Sequence, residues 1–382
     1  MSSNILIRPI NDQSAKDLER FIQFAWKIYE GNPYWVPPLL ADFRKTLNTR
    51  KNSFFQNASM QLFLAEQNGE IVGRIAAIKN DLHNQTHQDK TGFFGFFETI
   101  NDQNVANKLF DAAKNWLIER GMNQMQGPAN PSINHEYGLL IEGFDEPPRI
   151  MMTYNPPYYQ KIIETYGFSL SKNLLAFKID QDKVLSNPKL ERVANAVKQR
   201  TGVEIRPLNK KNIKEEVKIV KQIYNAAWRA EAFGGRNWGA IPLTDIEMKD
   251  LADALVPLAE PEMVLFAHMD NKPIGFAICL RDYNFFFKKA NGRLIPFLYY
   301  LFTQYKKIEW ARVVILGIIP EYQGRALDSV LYYEIIQRSR KVGIKYGEAS
   351  WILEDNIPMI KAAQDVLSGE CYKKYAIFTK NI

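Results

Sequence analysis

The sequence predicts an α/β protein in which one fold, a mixed and mostly antiparallel sheet flanked by helices, is written twice. Three observations carry that prediction. Five segments of the first half reappear in the second half in the same order. One of these pairings is a spacing: Gly95 and Gly121 are 26 positions apart, as are Gly317 and Gly343. The third observation is the stretch 313–335, where an apolar run rich in β-branched residues is stopped by Pro320. A polar turn follows, and then Leu327, Val330, Leu331 and Ile335 recur at helical spacing, so the chain passes from strand through turn into helix.

Taken in order, residues 5–11 (ILIRPIN) read as a first strand, and residues 203–209 (VEIRPLN) open the second copy in the same way. A helical pattern follows each, carrying Trp26, Ile28 and Tyr29 in one copy and Ile223, Tyr224 and Trp228 in the other. Next comes a hairpin. Alternating apolar residues flank the two-residue turns Asn68-Gly69 and Asp270-Asn271. The glycine pairs then bracket a strand end, a loop and a helix. Asn155-Pro156-Pro157 and Asn356-Ile357-Pro358 each open a last helix, followed by Gly167 or Gly369 and a closing strand. The polar, Pro-containing segment 180–188 marks the boundary, which gives domains at 1–180 and 203–382.

Composition bounds the function. A chain of 382 residues with 46% hydrophobic and 24% charged residues is a globular protein long enough for two cores. Its net charge of +7 fits a polyanionic cofactor, an anionic membrane surface or nucleic acid. No nucleic-acid-binding signature is visible and the lysines are dispersed, so nucleic acid ranks last. Two distant cysteines, Cys279 and Cys371, imply neither a disulfide framework nor a metal site and favour a reducing, cytoplasmic setting. His83 and His87 lie at i, i+4 without an intervening carboxylate. They read as polar residues of a surface loop, and no metal is expected. Residues 1–10 turn polar before an apolar run can form, so no export signal is expected.

The two halves differ where chemistry would sit. At the end of the apolar run, Gln323, Gly324, Arg325, Ala326, Leu327 and Ser329 lead into a helix N-terminus, whose unpaired N–H groups and dipole suit a phosphate. The same place in the first half, residues 98–109, has two acids and no Gly, a poor phosphate cradle. The first half has instead an insertion between Gly127 and Asn155, where Asn130, Ser132, Asn134, His135 and Glu136 gather. The alternative is a loop whose polar residues satisfy their own backbone. The second half has its own insertion: Gly275 and Gly317 are 42 positions apart, whereas Gly73 and Gly95 are 22 apart. The added residues, 285–307, alternate aromatics with lysines. That composition suits peripheral contact with a membrane, at its inner face for a cytoplasmic protein, or the wall of an apolar channel. Packing between the domains is the other reading.

The phosphate loop resembles the pyrophosphate loop of the GNAT acyltransferase superfamily, Gln/Arg-x-x-Gly-x-Gly/Ala, with Gln323 at its first position. It departs from the pattern at Ala326 and Asp328. The order of elements in each half is similar to the whole GNAT fold. The stretches NPYWVPPLLADFRKTL, FFGFFE and GPANPSINHEYGLLIEGFD resemble a tandem bacterial branch that includes ceramide-synthase-like N-acyltransferases.

The resemblance implies an acyl-CoA co-substrate, acetyl or long-chain, and transfer of its acyl group to a primary amine, a long-chain sphingoid-type base in that branch. It implies no metal. CoA would be held by Gln323, Gly324, Arg325, Ala326, Leu327 and Ser329. In the GNAT fold the acyl thioester meets the amine where two strands part, next to the first insertion. Asn130, Ser132 and Asn134 are then candidates to hold the amine. Deprotonating an alkylammonium near pKa 10.4 calls for a base, and Glu136 or His135 is the candidate. The family's thiolate-protonating Tyr falls on Ile163 in the first half and Asp365 in the second, so Tyr158 or Tyr159 is the nearby substitute. The expected arrangement is composite, with CoA on the second domain and the amine on the first. Two alternatives stay open: a small-molecule N-acetyltransferase, and a non-catalytic GNAT-like protein that binds lipid or a partner.

Overall fold

The computed structural model describes residues 4–228 and 239–382, so the first three positions of the N-terminal stretch lie outside the described residues. The first half runs β1 (Ile5–Ile10), α1 (Ala15–Ile28), α2 (Leu40–Leu47), β2 (Ala58–Gln67), β3 (Glu70–Asn80), α3 (Asp81–His87), β4 (Thr91–Thr99), α4 (Gln103–Ile118) and β5 (Gln124–Gly127). The insertion adds β6 (Ala129–Asn130), β7 (Glu136–Tyr137) and β8 (Leu139–Glu142), before α5 (Tyr159–Thr165) and β9 (Ser169–Asp180). Two helices, α6 (Gln181–Ser186) and α7 (Lys189–Thr201), lead into the second half. That half runs β10 (Glu204–Pro207), α8 (Ile213–Ala227), α9 (Asp245–Leu255), β11 (Val264–Met269), β12 (Lys272–Arg281), α10 (Asn284–Ala290) and α11 (Leu294–Gln304). It ends with β13 (Trp310–Ile318), α12 (Leu327–Lys341), β14 (Tyr346–Leu353), α13 (Ile357–Lys361) and β15 (Glu370–Asn381). The element order of the first copy is thus repeated in the second.

Both hairpins turn where the sequence places them. Asn68 and Gly69 have φ of 53° and 83°, and Asp270 and Asn271 have 50° and 60°. Two consecutive left-handed residues are what a two-residue turn between right-twisted strands requires, and Asn, Asp and Gly tolerate that conformation best.

The chain divides into two compact units. The first holds the residues up to Leu174 together with Phe286–Tyr299 and Lys373–Ile382, and the second holds Leu175–Phe285 and Tyr300–Tyr372. The sheet of the first unit has the order β1-β2-β3-β4-β5-β15, parallel between β4 and β5 and antiparallel at its other pairings. Its closing strand comes from the C-terminus of the chain, whose Phe378 to Asn381 pair with Gly127 to Gln124. The second unit has the order β14-β13-β12-β11-β10, again with one parallel pair, β13 and β14. Residues 175–180 of β9 lie beside β14.

Each unit has its own apolar core. In the first, Val105, Leu109, Phe110, Ala113 and Leu117 of α4 pack on Phe94, Phe97 and Met125 of the sheet. In the second, Leu327, Val330, Leu331 and Ile335 of α12 pack on Ala194 and Val197 of α7 and on Leu265, Ala277 and Ala311. Fully burying one such large side chain contributes about 1.5–3 kcal/mol, which is why the 3.6-residue period of α12 was legible in the sequence.

One detail corrects the sequence reading, and a second gives the form of the aromatic insertion. His83 and His87 are not surface-loop residues: they lie on α3, their rings 4.5 Å apart, and His83 is buried, edge-on to Phe93. Asn80 caps that helix by accepting the His83 N–H, which fixes the ring inward. The aromatic insertion is two helices, α10 and α11, joined at Asn291 and Gly292. That joint is pinned within the first unit: Trp26 Nε1 donates to Asn291 Oδ1 at 2.8 Å, and Leu40 N–H donates to the Gly292 carbonyl at 3.0 Å.

Candidate active site

In the second unit, the parallel pairing of β13 and β14 runs only from Trp310–Tyr346 to Val313–Ala349. Beyond it, β13 continues to Ile318 and β14 to Leu353 without pairing to each other. Val313 to Leu316 are half-buried there, Val313 and Leu316 against the core of the second unit, and Trp351 and Leu353 are half-buried on the other strand. Apolar side chains thus line both strands where the ladder opens.

The first unit also opens early, its β4 and β5 pairing ending at Phe93–Gln126. There the chain fills the opening itself. Asn130 Oδ1 accepts the Phe96 N–H at 2.6 Å, and the carbonyl of Ala129 lies 1.7 Å from where a side-chain carbon on Gly95 would stand. Strand β4 is consequently buried from Thr91 to Phe97.

β13 leads through a short turn into the N-terminus of α12. Gly324 has φ of 73°, with open space where a side chain would project, and Ala326 follows at φ of 60°. No side chain caps α12 at Ala326. Among the described residues, the N–H groups of Gly324, Arg325, Ala326 and Leu327 find no acceptor. Gln323 is turned inward and donates Nε2 to the Ile318 carbonyl at 2.7 Å, which holds the turn against the strand end. Arg325 lies over the Tyr322 ring, and Arg200 donates to the Arg325 carbonyl at 3.0 Å, so two guanidinium groups flank the exposed loop. Ser329 turns its hydroxyl back onto the Ala326 carbonyl at 2.6 Å.

Asp328, the departure from the phosphate-loop pattern, leans on the N–H groups of Asp328 and Ser329. Burial raises its pKa, and those two N–H groups pull the other way. Its carboxylate therefore sits at the first turn of α12, after the amides of residues 324–327. The contrast with the first unit is direct: α4 is capped by Asp102, whose carboxylate accepts the Asn104 N–H at 2.8 Å.

One residue before the ladder opens, Arg312 and Glu348 face each other on β13 and β14. Both are buried, with Arg312 Nε 3.5 Å from Glu348 Oε1. Ser350 bridges them, accepting from Arg312 Nε at 2.8 Å and donating to Glu348 at 2.6 Å, and the Tyr372 hydroxyl donates to the other carboxylate oxygen. This network locks the two strands together just below their separation. Sequence reasoning missed it, although a single Arg and a single Glu, each inside an otherwise apolar strand, are a readable sign of a buried pair.

The first-unit candidates are placed as follows. Ser132 Oγ lies 2.9 Å from His135 Nδ1 and accepts the Asn134 N–H at 3.2 Å, so Ser132, Asn134 and His135 form one local cluster. His135 is packed edge-on to Phe54, and burial lowers its pKa to about 4, which keeps the ring neutral. Glu136 is exposed on β7, and Asn130 is engaged by the Phe96 N–H. Tyr158 donates to the Thr99 carbonyl at 2.7 Å. Tyr159 is buried; it donates to Glu98 at 2.6 Å and accepts the Thr99 N–H at 2.9 Å. Both tyrosines are thus committed to the end of β4. Burial pushes the Tyr158 hydroxyl up to about 12 and raises that of Tyr159 well above its ordinary value. Arg74 and Tyr29 complete this cluster around the half-buried Glu98. Among the described residues, no group of three His, Cys, Asp or Glu side chains could hold a metal ion.

Two copies of this fold, with strands that part beside a helix N-terminus, define a tandem GNAT protein. The comparisons with known proteins agree. The chain is 33% identical over 376 residues to protein YghO of Escherichia coli K12, covering 97% of this chain and 94% of that one. It is 32% identical over 389 residues to the bacterial ceramide synthase of Caulobacter vibrioides, covering 99% and 98%. Among solved structures it is similar to a tandem GNAT protein from the clavulanic acid biosynthesis pathway, with a TM-score of 0.59 at 12% identity, covering 99% of this chain and 98% of that one. It is also similar to a GCN5-related N-acetyltransferase from Sphaerobacter thermophilus, with a TM-score of 0.52 at 11% identity and coverage of 99% and 95%. No family model matches. The chain belongs to the GNAT acyltransferase superfamily, in the tandem bacterial branch that contains the ceramide synthase.

Proposed function

We propose that this protein is an acyl-CoA-dependent N-acyltransferase whose CoA site is the N-terminus of α12, and that its acceptor is a long-chain, sphingoid-type primary amine. The observation that carries the reading is the uncapped start of α12, with four N–H groups that meet no acceptor among the described residues, directly after a strand that has left its partner and carries half-buried apolar side chains. Anions are stabilised at such a terminus by the unpaired donors and the dipole together. Gly324 leaves room for the close approach, and Arg325 and Arg200 add positive charge beside it. The choice of a long-chain amine is supported by the full-length similarity to the ceramide synthase.

An acyl thioester supplies an activated carbonyl: the amine nitrogen forms the new C–N bond, the C–S bond breaks, and the ammonium proton leaves while the thiolate gains one. The residues of this chain hold the ligand and exclude water. Gln323 and Ser329 fix the loop, Val313 to Leu316 wall the acyl chain, and the Arg312–Glu348–Ser350 network sets how far the strands separate. Glu136, the exposed carboxylate of the first-unit group, is assigned as the base for the amine.

The test is to incubate the purified protein with acyl-CoA of graded chain length and either a long-chain base or small amines, following thiol release and N-acyl product by mass spectrometry. The proposal expects an amide of the long-chain base. Product formed only from acetyl-CoA and small amines would replace it with the acetyltransferase reading. Absence of thiol release with every pair would remove the catalytic reading altogether.

A further inference from the structure

Six of the twelve exposed large apolar side chains among the described residues fall within residues 285–302: Phe285, Leu294, Ile295, Leu298, Tyr299 and Phe302. Five of them lie on one helix, α11, at successive positions i, i+1, i+4, i+5 and i+8, which is a single stripe along its length. Ile295 and Phe302 are each 81% exposed, far beyond what an isolated surface residue of a packed helix shows.

The opposite side of the helix is anchored. Phe297 is buried and stacked on Phe287 with ring centroids 4.7 Å apart, so the stripe is held outward by packing behind it. The α10–α11 joint is fixed as well, through Trp26 and the Leu40 N–H.

Charge selects the occupant. From residue 283 to residue 308 there is no Asp or Glu, while Lys288, Lys289, Arg293, Lys306 and Lys307 bracket the apolar stripe at both ends. Lys306 and Lys307 are exposed in the turn that follows α11. A protein partner of ordinary composition needs no cationic rim around an apolar centre. A bilayer with anionic headgroups does: apolar and aromatic side chains enter the acyl boundary while lysines and arginines stay at the phosphates. At eleven residues, α11 is also too short to span the hydrocarbon, and no helix among the described residues is long and apolar enough to cross a membrane.

We propose that α11 is an interfacial anchor that seats this protein on an anionic lipid surface, with Leu294, Ile295, Leu298, Tyr299 and Phe302 entering the bilayer boundary. The proposal stands on the stripe and its charge and does not depend on the catalytic reading. The full chain is to be co-sedimented with vesicles of phosphatidylcholine containing phosphatidylglycerol, and with vesicles of phosphatidylcholine alone. Wild-type protein is expected to bind the anionic vesicles at least tenfold more tightly than the neutral ones, with the preference shrinking as salt rises. Ile295→Glu with Phe302→Glu is expected to abolish binding at unchanged melting temperature, because both side chains are already in water. Lys306→Ala with Lys307→Ala should weaken only the anionic preference. Absence of wild-type binding to both vesicles, or full binding by the Ile295→Glu, Phe302→Glu variant, would overturn the proposal. So would a wild-type dimer, seen by light scattering, that this variant converts to a monomer, since a second copy would then be the occupant.

Discussion

Removing the Glu348 carboxylate should loosen the second unit at the point where its sheet opens. In Glu348→Ala the Arg312 guanidinium, with a side chain 5% exposed, loses its buried counter-charge, and the hydroxyls of Ser350 and Tyr372 lose their acceptor. Breaking one side of a buried ion pair costs about 3–5 kcal/mol. The orphaned hydroxyls belong to the same network, so their cost overlaps that figure and does not add to it. The expected loss is therefore about 4 kcal/mol. At about 2–4 °C per kcal/mol for a domain of this size, the calorimetric transition of the second unit should fall by roughly 8–16 °C. Glu348→Gln keeps the shape and one acceptor and should lose about half as much. Replacing both partners by apolar residues, Arg312→Met with Glu348→Leu, should cost less than Glu348→Ala alone, because no buried charge is left over. A loss below about 1 kcal/mol in Glu348→Ala, or a double variant less stable than the single one, would refute the reasoning.

Four further outcomes follow from the geometry. Gly324→Asn keeps a left-handed residue and should change stability by less than about 1 kcal/mol, yet it should weaken CoA binding by at least tenfold in calorimetry, since its side chain occupies the approach to the α12 amides. Gly95→Ala should destabilise the first unit by about 1–3 kcal/mol or more, read by denaturant titration, because the Ala129 carbonyl cannot stay where it is. His83 titrates near 4 in the fold, where burial is the main cause, against about 6.5 when unfolded. The unfolded chain therefore binds more protons between those values, and stability should fall as pH drops from about 6.5 to 4 and level off below, by at most about 3 kcal/mol, with His83→Gln flattening that slope. Glu136→Gln should lower kcat for a long-chain amine while CoA affinity, measured separately, stays within about twofold, as expected when a base acts on the amine alone.

Much of the fold was legible because its signals are local. The two-residue hairpin turns at Asn68-Gly69 and Asp270-Asn271, the period of α12, and the stop at Pro320 each depend on residues within one turn or one strand. The passage from β13 through a turn into α12 was legible for the same reason. What stayed hidden depends on partners distant in sequence. Arg312 and Glu348 are 36 positions apart, and only the parallel pairing of β13 and β14 brings them together. The C-terminal strand offers no hint in its own residues that its partner is β5. Likewise, the polar insertion of the first half reads as a cluster of reactive groups. Nothing in its sequence says that Asn130 is bound to the Phe96 N–H, or that Tyr158 and Tyr159 are bound to Thr99.

The two copies show how one plan diverges into an open strand end and a filled one. An open strand gap exposes apolar side chains and leaves helix amides unpaired, and both are unfavourable unless a ligand covers them. In the first unit each liability has been removed from within the chain: residues 129–130 occupy the gap, β4 is buried, and Asp102 caps α4. In the second unit each persists, with Val313 to Leu316 only half-buried and α12 uncapped at Ala326. Where stability has no use for an exposed wall and free amides, binding does. The buried Arg312–Glu348 network is consistent with that reading, since a gap kept open for a ligand needs a fixed point beyond which the strands cannot unzip. Asp328 leans on the first turn of that helix, and the amides of residues 324–327 meet no acceptor among the described residues.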